Sequence, residues 1–331
     1  MQQTLKMDAM KIGILATGGI AGKMAMTLQG MKDVETYAVA SRSLQKAKEF
    51  AEKWNFTRYY GSYEAMLDDD QIDLVYIATP HSEHYNNARM CLLKGKPVLC
   101  EKAFTGNARQ AEELLNLSKE KNVFITEAIW PRYMPFSKTI NEILASGIIG
   151  EPKMLSANLG YPITHVERLR QPALAGGALL DIGIYPLNFA SMIFGTDIKE
   201  ISSSCIKLDT GVDAQDSITL TFNDGKMAVL HTTIFAKTDR QGIISGEKGH
   251  LIVDNINNPQ QMTVFTGNYE VAAQYDCPPQ ITGFEYEVSA AIEAIKNGWI
   301  ESPYMPHAET LRMMRLMDGL RKEWGVHYPF D

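Results

Sequence analysis

Cysteine is scarce in this sequence, with only four residues among 331. The four form neither a CxxC pair nor a spacing typical of a zinc site, and they are Cys91, Cys100, Cys205 and Cys277. This scarcity excludes a disulfide scaffold and favours the reduced thiols of an intracellular protein. Since no cluster of histidine, aspartate and glutamate replaces the missing thiols, we predict no metal site.

The sequence also lacks an excess of positive charge and long apolar runs. The net charge is −7, and no run of lysine and arginine offsets it, which argues against a nucleic-acid partner. The opening residues, MQQTLKMDAMK, contain no apolar signal core, and we expect no later run to approach a membrane span. The sequence therefore predicts a soluble, cytoplasmic protein whose partners include neither a membrane nor a nucleic acid.

The first part of the chain alternates short apolar runs with amphipathic stretches. The strands predicted from the apolar runs are Ile12–Ala16, Thr36–Ser41, Asp73–Thr79, Pro97–Cys100 and Val123–Thr126. The helices predicted between them are Ile20–Met31, Leu44–Trp54, Ser82–Lys94 and Ala108–Lys121. Strands that alternate with helices of this length indicate right-handed crossovers and a doubly wound parallel sheet, as in the Rossmann fold.

The second part of the chain has a different texture. A helical stretch around Leu179–Phe194 precedes Ser217–Phe222 and Met227–Phe235, which alternate polar and apolar residues around an Asn-Asp-Gly turn. Such a hairpin is typical of an antiparallel sheet, and an amphipathic segment, His307–Trp324, follows it. We therefore predict an α/β protein with a second domain of the α+β class, the two domains being 8–127 and 128–331.

The turn after the first predicted strand resembles the glycine fingerprint of dinucleotide-binding folds. Gly18 stands at the second glycine position, where the backbone approaches a pyrophosphate, but Ala16 replaces the first glycine. A helix that begins near Gly19 and Ile20 would point its amide groups at phosphate. The alternative is an ordinary tight turn between a strand and a helix, in which small residues are also common.

The end of the second predicted strand indicates which dinucleotide is bound. An acidic residue there selects NAD through the ribose hydroxyl, whereas an arginine accommodates the additional phosphate of NADP. Here the strand ends in Ser41 and Arg42, with Lys46 one helical turn later and no acidic residue. The sequence therefore favours NADP over NAD, although both cations are also compatible with a solvated helix start.

Longer motifs give the chain a family resemblance. Glu101-Lys102-Ala103 resembles the EKP motif that follows the fifth strand in the glucose-fructose oxidoreductase and inositol dehydrogenase family, and Thr79-Pro80 with His84 is similar to the loop after the fourth strand. The string GGALLDIGIY, Gly176–Tyr185, resembles the branch that contains dimeric dihydrodiol dehydrogenases and NADP-dependent D-xylose dehydrogenases. The similarity extends over essentially the whole chain.

This resemblance implies a fold, a cofactor and an activity. It implies a Rossmann domain followed by an α/β domain with a large, open, mostly antiparallel sheet, and a homodimer formed through that sheet. It also implies an NADP-dependent oxidoreductase that transfers a hydride to or from a cyclic sugar or a vicinal diol. The cofactor contacts it adds to those of the first two loops are Thr79, Pro80, His84, Glu101 and Lys102.

Oxidation of an alcohol also needs a base for the hydroxyl proton. The pKa of an unperturbed tyrosine is about 10, so a tyrosine serves as base at neutral pH only when a nearby cation lowers it. Tyr185 is the candidate base, Lys102 the candidate cation, and Asp181 lies one helical turn before Tyr185. The alternative for Tyr185 is a core tyrosine whose hydroxyl is satisfied elsewhere.

Three further residues are candidates for the substrate side of the site. They are Trp130, Arg132 and His165, and for each of them a structural role carries equal weight. Two other functions remain open at this stage: the reduction of a keto- or deoxy-sugar on the same fold, and the sensing of NADP without turnover. Retention of both Lys102 and Tyr185 favours an enzyme.

Overall fold

The computed structural model describes residues 9–331, which form two compact units with one sheet each. The first unit contains the chain up to Thr105, Arg109–Ala128 and Gln280–Thr310. The second contains the short segment Gly106–Ala108 together with Ile129–Pro279 and Leu311–Asp331. The chain thus returns to the first unit late in the sequence, while the division into functional domains at 127 and 128 stays a prediction.

The first unit contains a six-stranded parallel sheet in the order β3-β2-β1-β4-β5-β6. Its strands are β1 Met10–Leu15, β2 Val34–Ala40, β3 Arg58–Tyr60, β4 Leu74–Ile77, β5 Val98–Glu101 and β6 Ile125–Ala128. The helices between these strands are α1 Gly19–Gly30, α2 Leu44–Trp54, α3 Tyr63–Leu67, α4 His81–Leu93 and α5 Ala108–Lys121. The chain order reverses between β1 and β4, the place where open α/β sheets bind ligands beyond their carboxyl edge.

The predicted doubly wound sheet is confirmed, with one addition. All four residues of β4 and all four of β5 are buried, as expected for strands covered on both faces. The sequence reading missed β3, a three-residue edge strand whose side chains are mostly exposed. A strand this short and this polar carries no apolar alternation by which it can be recognised.

The second unit contains an eight-stranded sheet in the order β14-β13-β12-β11-β7-β10-β9-β8. Its strands are β7 Pro152–Gly160, β8 Ile198–Lys207, β9 Asp213–Phe222, β10 Met227–Thr233, β11 Gly242–Gly246, β12 Gly249–Val253, β13 Gln261–Thr266 and β14 Val271–Asp276. Among the described strands of this second sheet, only β7 and β10 pair in parallel. The predicted large and mostly antiparallel sheet is therefore confirmed.

Further helices complete the described chain. They are α6 Pro135–Ala145, α7 Glu167–Arg170, α8 Ile184–Phe194, α9 Glu285–Lys296 and α10 His307–Trp324. A π-helical turn, Leu179–Gly183, runs directly into α8. Both pack against β7 and β10 and thereby cover one face of the second sheet.

One apolar segment differs from what the sequence led us to expect. Among the described residues, Pro172–Phe194 is the one helical stretch long and apolar enough to cross a membrane, judged by length and composition alone. In the fold, 83% of its apolar window is buried inside the protein. Its apolar side chains therefore supply the core beneath the second sheet.

Candidate active site

The loop after β1 presents main-chain amides in front of α1. Gly18 caps α1 without a side-chain hydrogen bond, and the first turn of the helix carries no acidic residue. A Cβ placed on Gly18 or Gly19 would meet no atom within 4 Å, so the space before the helix is open to a phosphate group. Ala16, at the substituted fingerprint position, has a φ of 87°, a conformation that glycine adopts far more readily.

The end of β2 carries two exposed cations. Arg42 and Lys46 are exposed, and within residues 9–331 neither forms an ion pair. Ser43 caps α2 by accepting a hydrogen bond from the amide of Lys46 at 3.4 Å, while the side chain of Ser41 is buried below. This arrangement fits the additional phosphate of NADP, because both guanidinium and ammonium groups are available to it.

His84 connects the loop after β4 to the turn after β5. Its ring is fully buried, and its two nitrogens lie 2.8 Å from the carbonyl oxygens of Thr79 and Ala103. Both carbonyl oxygens can accept a hydrogen bond from His84 only when both ring nitrogens carry a hydrogen, because a carbonyl oxygen accepts but never donates. His84 thereby connects two loops, and its role in cofactor binding stays a prediction. Pro80 begins α4 at the same place.

Lys102 follows a buried acidic residue. Glu101, at the end of β5, accepts a short hydrogen bond from the hydroxyl of Tyr76 and another from the amide of Lys102 at 3.2 Å. The Lys102–Ala103 peptide bond is cis. The Lys102 side chain is half-buried, so it emerges from the carboxyl edge of the parallel sheet, where ligands of such sheets bind.

Two further buried carboxyl groups in the first unit escaped the sequence reading. Glu127, on β6, accepts a hydrogen bond from the amide of Phe104 at 3.0 Å, which fixes the turn beyond Lys102. Glu287, on α9, is fully buried, and neither of its oxygens has a hydrogen-bond partner among residues 9–331. Burial, with a smaller contribution from the charge of Glu101, raises the pKa of Glu287 well above its usual range.

The π turn of the second unit positions Asp181 and Tyr185. The amide of Ile184 reaches the carbonyl of Leu179, five residues back, so the turn is wider than that of an α-helix. The widening comes directly before Pro186, which has no amide hydrogen to give to a preceding carbonyl. Asp181 is 4% exposed and Tyr185 is 9% exposed, so packing restricts the conformations of both side chains.

Asp181 has a partner that the sequence did not suggest. Arg168, on α7, donates a hydrogen bond from Nη2 to Oδ1 of Asp181 at 2.9 Å. The aspartate is buried, whereas the arginine side chain is 42% exposed. The ion pair balances the charge of the buried carboxylate and restricts its orientation.

Trp130 and Arg132 have structural partners in the second unit. The indole of Trp130 donates to Oδ1 of Asn257 at 2.9 Å, and Asn257 donates to the hydroxyl of Tyr161 at 3.3 Å. Arg132 donates to Asn188 on α8 at 2.5 Å, and a second bond reaches another residue of that helix. Trp130 is thus the first member of a chain of hydrogen bonds through Asn257 to Tyr161. Arg132 fixes α8, the helix that carries Tyr185.

His165 is exposed and lies in the segment between β7 and α7. Within the described chain, no hydrogen bond, ion pair or ring contact involves its side chain. Its role on the substrate side therefore stays a prediction. For metals, no group of three or more histidine, cysteine, aspartate or glutamate side chains in residues 9–331 is arranged to hold an ion.

Two sequence models of one family match the chain. The model described as "Oxidoreductase family, NAD-binding Rossmann fold" matches residues 10–128. The model described as "GFO/IDH/MocA C-terminal domain" matches residues 137–252. Together they cover most of the chain, including the loops that carry Gly18 and Lys102 and the helix that carries Tyr185.

Relatives with full-length similarity have a shared description. The trans-1,2-dihydrobenzene-1,2-diol dehydrogenases of Mus musculus and Homo sapiens are each 33% identical to this chain, with 98% of this chain and 99% of the relative covered. A 3-ketoreductase from Actinomadura kijaniata, solved in complex with NADP and TDP-benzene, superposes with a TM-score of 0.86 at 26% identity, covering 95% of this chain and 98% of its own.

The family resemblance carried by the motifs is therefore confirmed, and with it the prediction of an enzyme that acts on CH–OH groups with a nicotinamide dinucleotide. The matches follow the two sheets: the first model covers the parallel sheet, and the second begins before β7 and ends within β12. The chain belongs to the GFO/IDH/MocA family of oxidoreductases.

Proposed function

We propose that the protein oxidises a vicinal diol or a cyclic sugar, with NADP as the hydride acceptor. The observation that carries this proposal is the full-length similarity to diol dehydrogenases, which extends through both units. In the reaction, the C–H and O–H bonds of one alcohol carbon break and a carbonyl forms. The dinucleotide, when bound, supplies the acceptor for the hydride, and the protein supplies binding, orientation and the acceptor for the proton.

NADP is held by groups of the first unit. The amides of the loop at Gly18 and Gly19 bind the pyrophosphate, while Arg42 and Lys46 bind the additional phosphate. The absence of an acidic residue at the end of β2 supports NADP over NAD, and the similar 3-ketoreductase was solved with NADP.

The proton acceptor is Tyr185, and Lys102 is the cation that favours its ionised form. The hydroxyl of Tyr185 belongs to a side chain whose ring is buried, which fixes its direction better than an exposed rotamer would. Asp181, held by Arg168, binds a substrate hydroxyl. Trp130 and His165 complete the substrate side, and Arg132 acts by fixing α8.

A panel of substrates tests this function. Purified protein is mixed with NADP or NAD and a series of aldopyranoses, polyols and cyclic trans-diols, and the absorbance of the reduced nicotinamide is followed. We expect turnover with NADP on at least one diol or cyclic sugar. Binding of NADP without turnover on any member of the panel, in either direction, would favour the alternative of a nucleotide sensor.

A second candidate activity is the reduction of a keto-sugar. It is favoured by the similarity to the 3-ketoreductase, which was solved with a nucleotide-linked compound. The same residues serve it in reverse, because Tyr185 then donates the proton that it accepts in oxidation. Assays with reduced NADP and keto-sugars, run beside the oxidation panel, distinguish the two by the ratio of kcat/KM in the two directions.

A homodimer formed through the open face of the second sheet is the assembly we favour. Residues on the open face of neighbouring strands form a continuous uncharged row. In this row, Ile252 pairs with Ile243, Ile243 pairs with Ser156, and Ser156 pairs with Val229. Beside this row, the registered pair Met154 and Met227 is 46% and 38% exposed. A broad, weakly polar sheet face of this kind is typical of a surface that a second copy covers.

The dimer is tested by light scattering. Val229→Lys places a charge at the centre of the row, and we expect it to halve the mass of the particle at micromolar concentration. Asn116→Lys, on the exposed face of α5, is the control that adds the same charge elsewhere and keeps the dimer. An unchanged mass of the Val229→Lys protein would exclude this face as the interface.

The four free cysteines fit the cytoplasmic setting predicted from the sequence. Cys91 and Cys100 are fully buried, and burial raises the pKa of both thiols well above the usual range. Buried, protonated thiols are unreactive and need no oxidising compartment.

A further inference from the structure

Two aspartates at the start of β9, Asp213 and Asp216, are buried on the same side of the sheet. Residues three apart on a regular strand point to opposite faces. Here the strand is bulged at Ala214: on β8, Ile206 pairs with Gln215 but the next residue, Lys207, pairs with Asp213. The bulge turns Asp213 toward the face on which Asp216 lies, and both carboxyl groups enter the core beneath the π turn.

Each carboxyl group has one oxygen with a clear partner. Oδ2 of Asp213 accepts the amide of Leu179 at 2.5 Å, and Oδ2 of Asp216 accepts the hydroxyl of Thr232 at 3.0 Å. The Oδ1 atoms of both aspartates are buried and accept no hydrogen bond from residues 9–331, and the two carboxyl groups lie close enough for the charge of Asp213 to act on Asp216. A proton held between the two groups is what satisfies both oxygens.

The surroundings favour a single charge on the pair. Burial raises the pKa of Asp213 and, together with the charge of Asp213, raises the pKa of Asp216 well above its usual range. Asp213 also accepts main-chain amides, which favours its ionised form, so we place the proton on Asp216.

The other titratable groups near the pair do not neutralise it. Cys205 faces Asp216 from β8, and burial with the charges of both aspartates raises the pKa of its thiol to about 11. The same two charges, after burial, raise the pKa of the Tyr328 phenol. Lys207, beside Asp213 on β8, directs its ammonium group to the carbonyls of Trp324 and Gly325 instead.

Asp213 lies at the amide end of the helical segment that contains the candidate catalytic groups. Leu179 is the first residue of the π turn, Asp181 is in it, and Tyr185 follows in the first turn of α8. A carboxylate at this end satisfies amides that have no partner within the helix and interacts favourably with the helix dipole. Gly177 leaves the space for it, because a Cβ there would overlap the carboxylate of Asp213.

We propose that Asp213 and Asp216 share one proton and act together as positioning residues, holding the amide end of the π turn so that Asp181 and Tyr185 keep their orientation. This inference rests on the proposed function in so far as Tyr185 is the proton acceptor. Loss of the shared proton leaves two like charges in contact in the core. Asp213 then withdraws from the amide of Leu179, and the turn loses its anchor.

The direction of the pH effect follows from the raised pKa values. A carboxyl group whose pKa is higher in the folded than in the unfolded protein stabilises the fold most when it is protonated. Its contribution is full below the unfolded pKa of about 4 and is lost as the pH rises through the folded pKa. Asp216→Asn removes this dependence, because the amide donates to Asp213 and accepts from Thr232 without a titratable proton.

Thermal unfolding tests the shared proton. We expect the melting temperature of Asp216→Asn relative to the wild type to increase steadily from pH 4 upward, reaching a gain of about 4 °C. Asp209→Asn, whose side chain is 77% exposed on the loop before β9, is the control with no such trend. If the difference in melting temperature between Asp216→Asn and the wild type stayed constant with pH, the proposal of a shared proton would be wrong.

Steady-state kinetics test the positioning role. Asp216→Asn should keep kcat within about twofold of wild type, whereas Asp216→Leu, of similar size but without a donor, should lower kcat at least tenfold. Both should bind NADP as the wild type does, and a cooperative thermal unfolding transition of each variant shows that it folds. Equal kcat in the two variants would overturn the positioning role, and if Asp216→Leu does not fold, Gly177→Ala, which displaces Asp213, must show the same loss.

The two proposals fail separately in these experiments. Should Tyr185→Phe retain full turnover, the proposed proton acceptor would be wrong, while the pH trend of the melting temperature would still decide whether the aspartates share a proton. Should Tyr185→Phe lose turnover and Asp216→Leu keep it, the proposed function would stand and the positioning role would be wrong.

Discussion

The two units of this protein fix their functional side chains in different ways. In the first unit, Gly18, Arg42 and Lys102 lie in turns directly after β1, β2 and β5, and the serine that caps α2 accepts from an amide three residues away. In the second unit, Asp213 accepts the amide of Leu179, 34 residues away in sequence, and thereby holds the π turn that carries Asp181. Tyr328 donates to the carbonyl of Gly176, 152 residues away, and holds the segment that leads into this turn.

This difference between local and long-range contacts corresponds to the two tasks in the proposed function, nucleotide binding in the first unit and turnover in the second. The short-range turns of the first unit present amides and cations to a dinucleotide, a task that needs charge and open main chain more than exact orientation. The second unit directs a phenol and a carboxylate, and acid–base chemistry depends strongly on direction and distance. Variants in the first unit should therefore change nucleotide affinity, and variants in the second should change turnover.

Loss of the Tyr185 hydroxyl should have the largest effect. We expect Tyr185→Phe to lower kcat by roughly 10²–10⁴, the usual contribution of a positioned acid–base group, while the Kd of NADP changes little. The measurement is steady-state kinetics beside a nucleotide titration, with Tyr275→Phe on β14 as the control. Near-normal turnover of a folded Tyr185→Phe protein would contradict the mechanism.

Lys102 belongs to the first unit, although the proposed function gives it a part in turnover. Lys102→Met should lower kcat at least as much as Tyr185→Phe. It should also shift the remaining pH profile of turnover upward, since a phenol without a nearby cation ionises later. A Lys102→Met protein that lost only affinity for NADP would show that Lys102 acts in nucleotide binding and not in turnover.

Removal of a phosphate contact should have the next largest effect. Arg42→Ala should weaken NADP binding by about tenfold or more and leave NAD binding unchanged, because a charge-assisted contact of this kind contributes roughly 1.5–3 kcal/mol. Fluorescence titration with both nucleotides measures this, and Lys48→Ala, in the helix α2 that follows Arg42 and paired with Glu52, is the matched control. Equal affinity of the wild type for NADP and NAD would contradict the assignment.

A smaller effect is expected at Asp181. The variant Asp181→Asn keeps the size of the side chain but weakens the ion pair with Arg168 and the acceptor offered to substrate. We expect KM to rise severalfold with kcat little changed, the pattern of a lost binding interaction. A large fall in kcat at unchanged KM would instead make Asp181 part of the proton transfer.

The smallest effect concerns the substituted fingerprint position. At a φ of 87°, Ala16 bears a conformational cost of about 1–2 kcal/mol that glycine avoids, offset in part by the greater freedom of glycine in the unfolded chain. Ala16→Gly should therefore raise the free energy of unfolding by up to about 1 kcal/mol in a denaturant titration. Ala21→Gly, buried within α1, should lower it.

Much of the fold could be predicted from local patterns. The limits of α2, α5 and α10 agree with the amphipathic stretches Leu44–Trp54, Ala108–Lys121 and His307–Trp324, because a helix that covers a sheet must repeat its apolar residues every three to four positions. The same holds for the glycine turn after β1 and the basic end of β2, whose roles depend on residues a few positions apart.

Other features were decided only by the tertiary structure. The bulge at Ala214 brings Asp213 and Asp216 to one face, although a spacing of three predicts opposite faces on a regular strand. The partners of Asp181, Arg132 and His84 are likewise distant in sequence. Periodicity records which side of an element is buried, but which buried polar groups meet depends on strand register and on contacts between remote segments, which no local pattern contains.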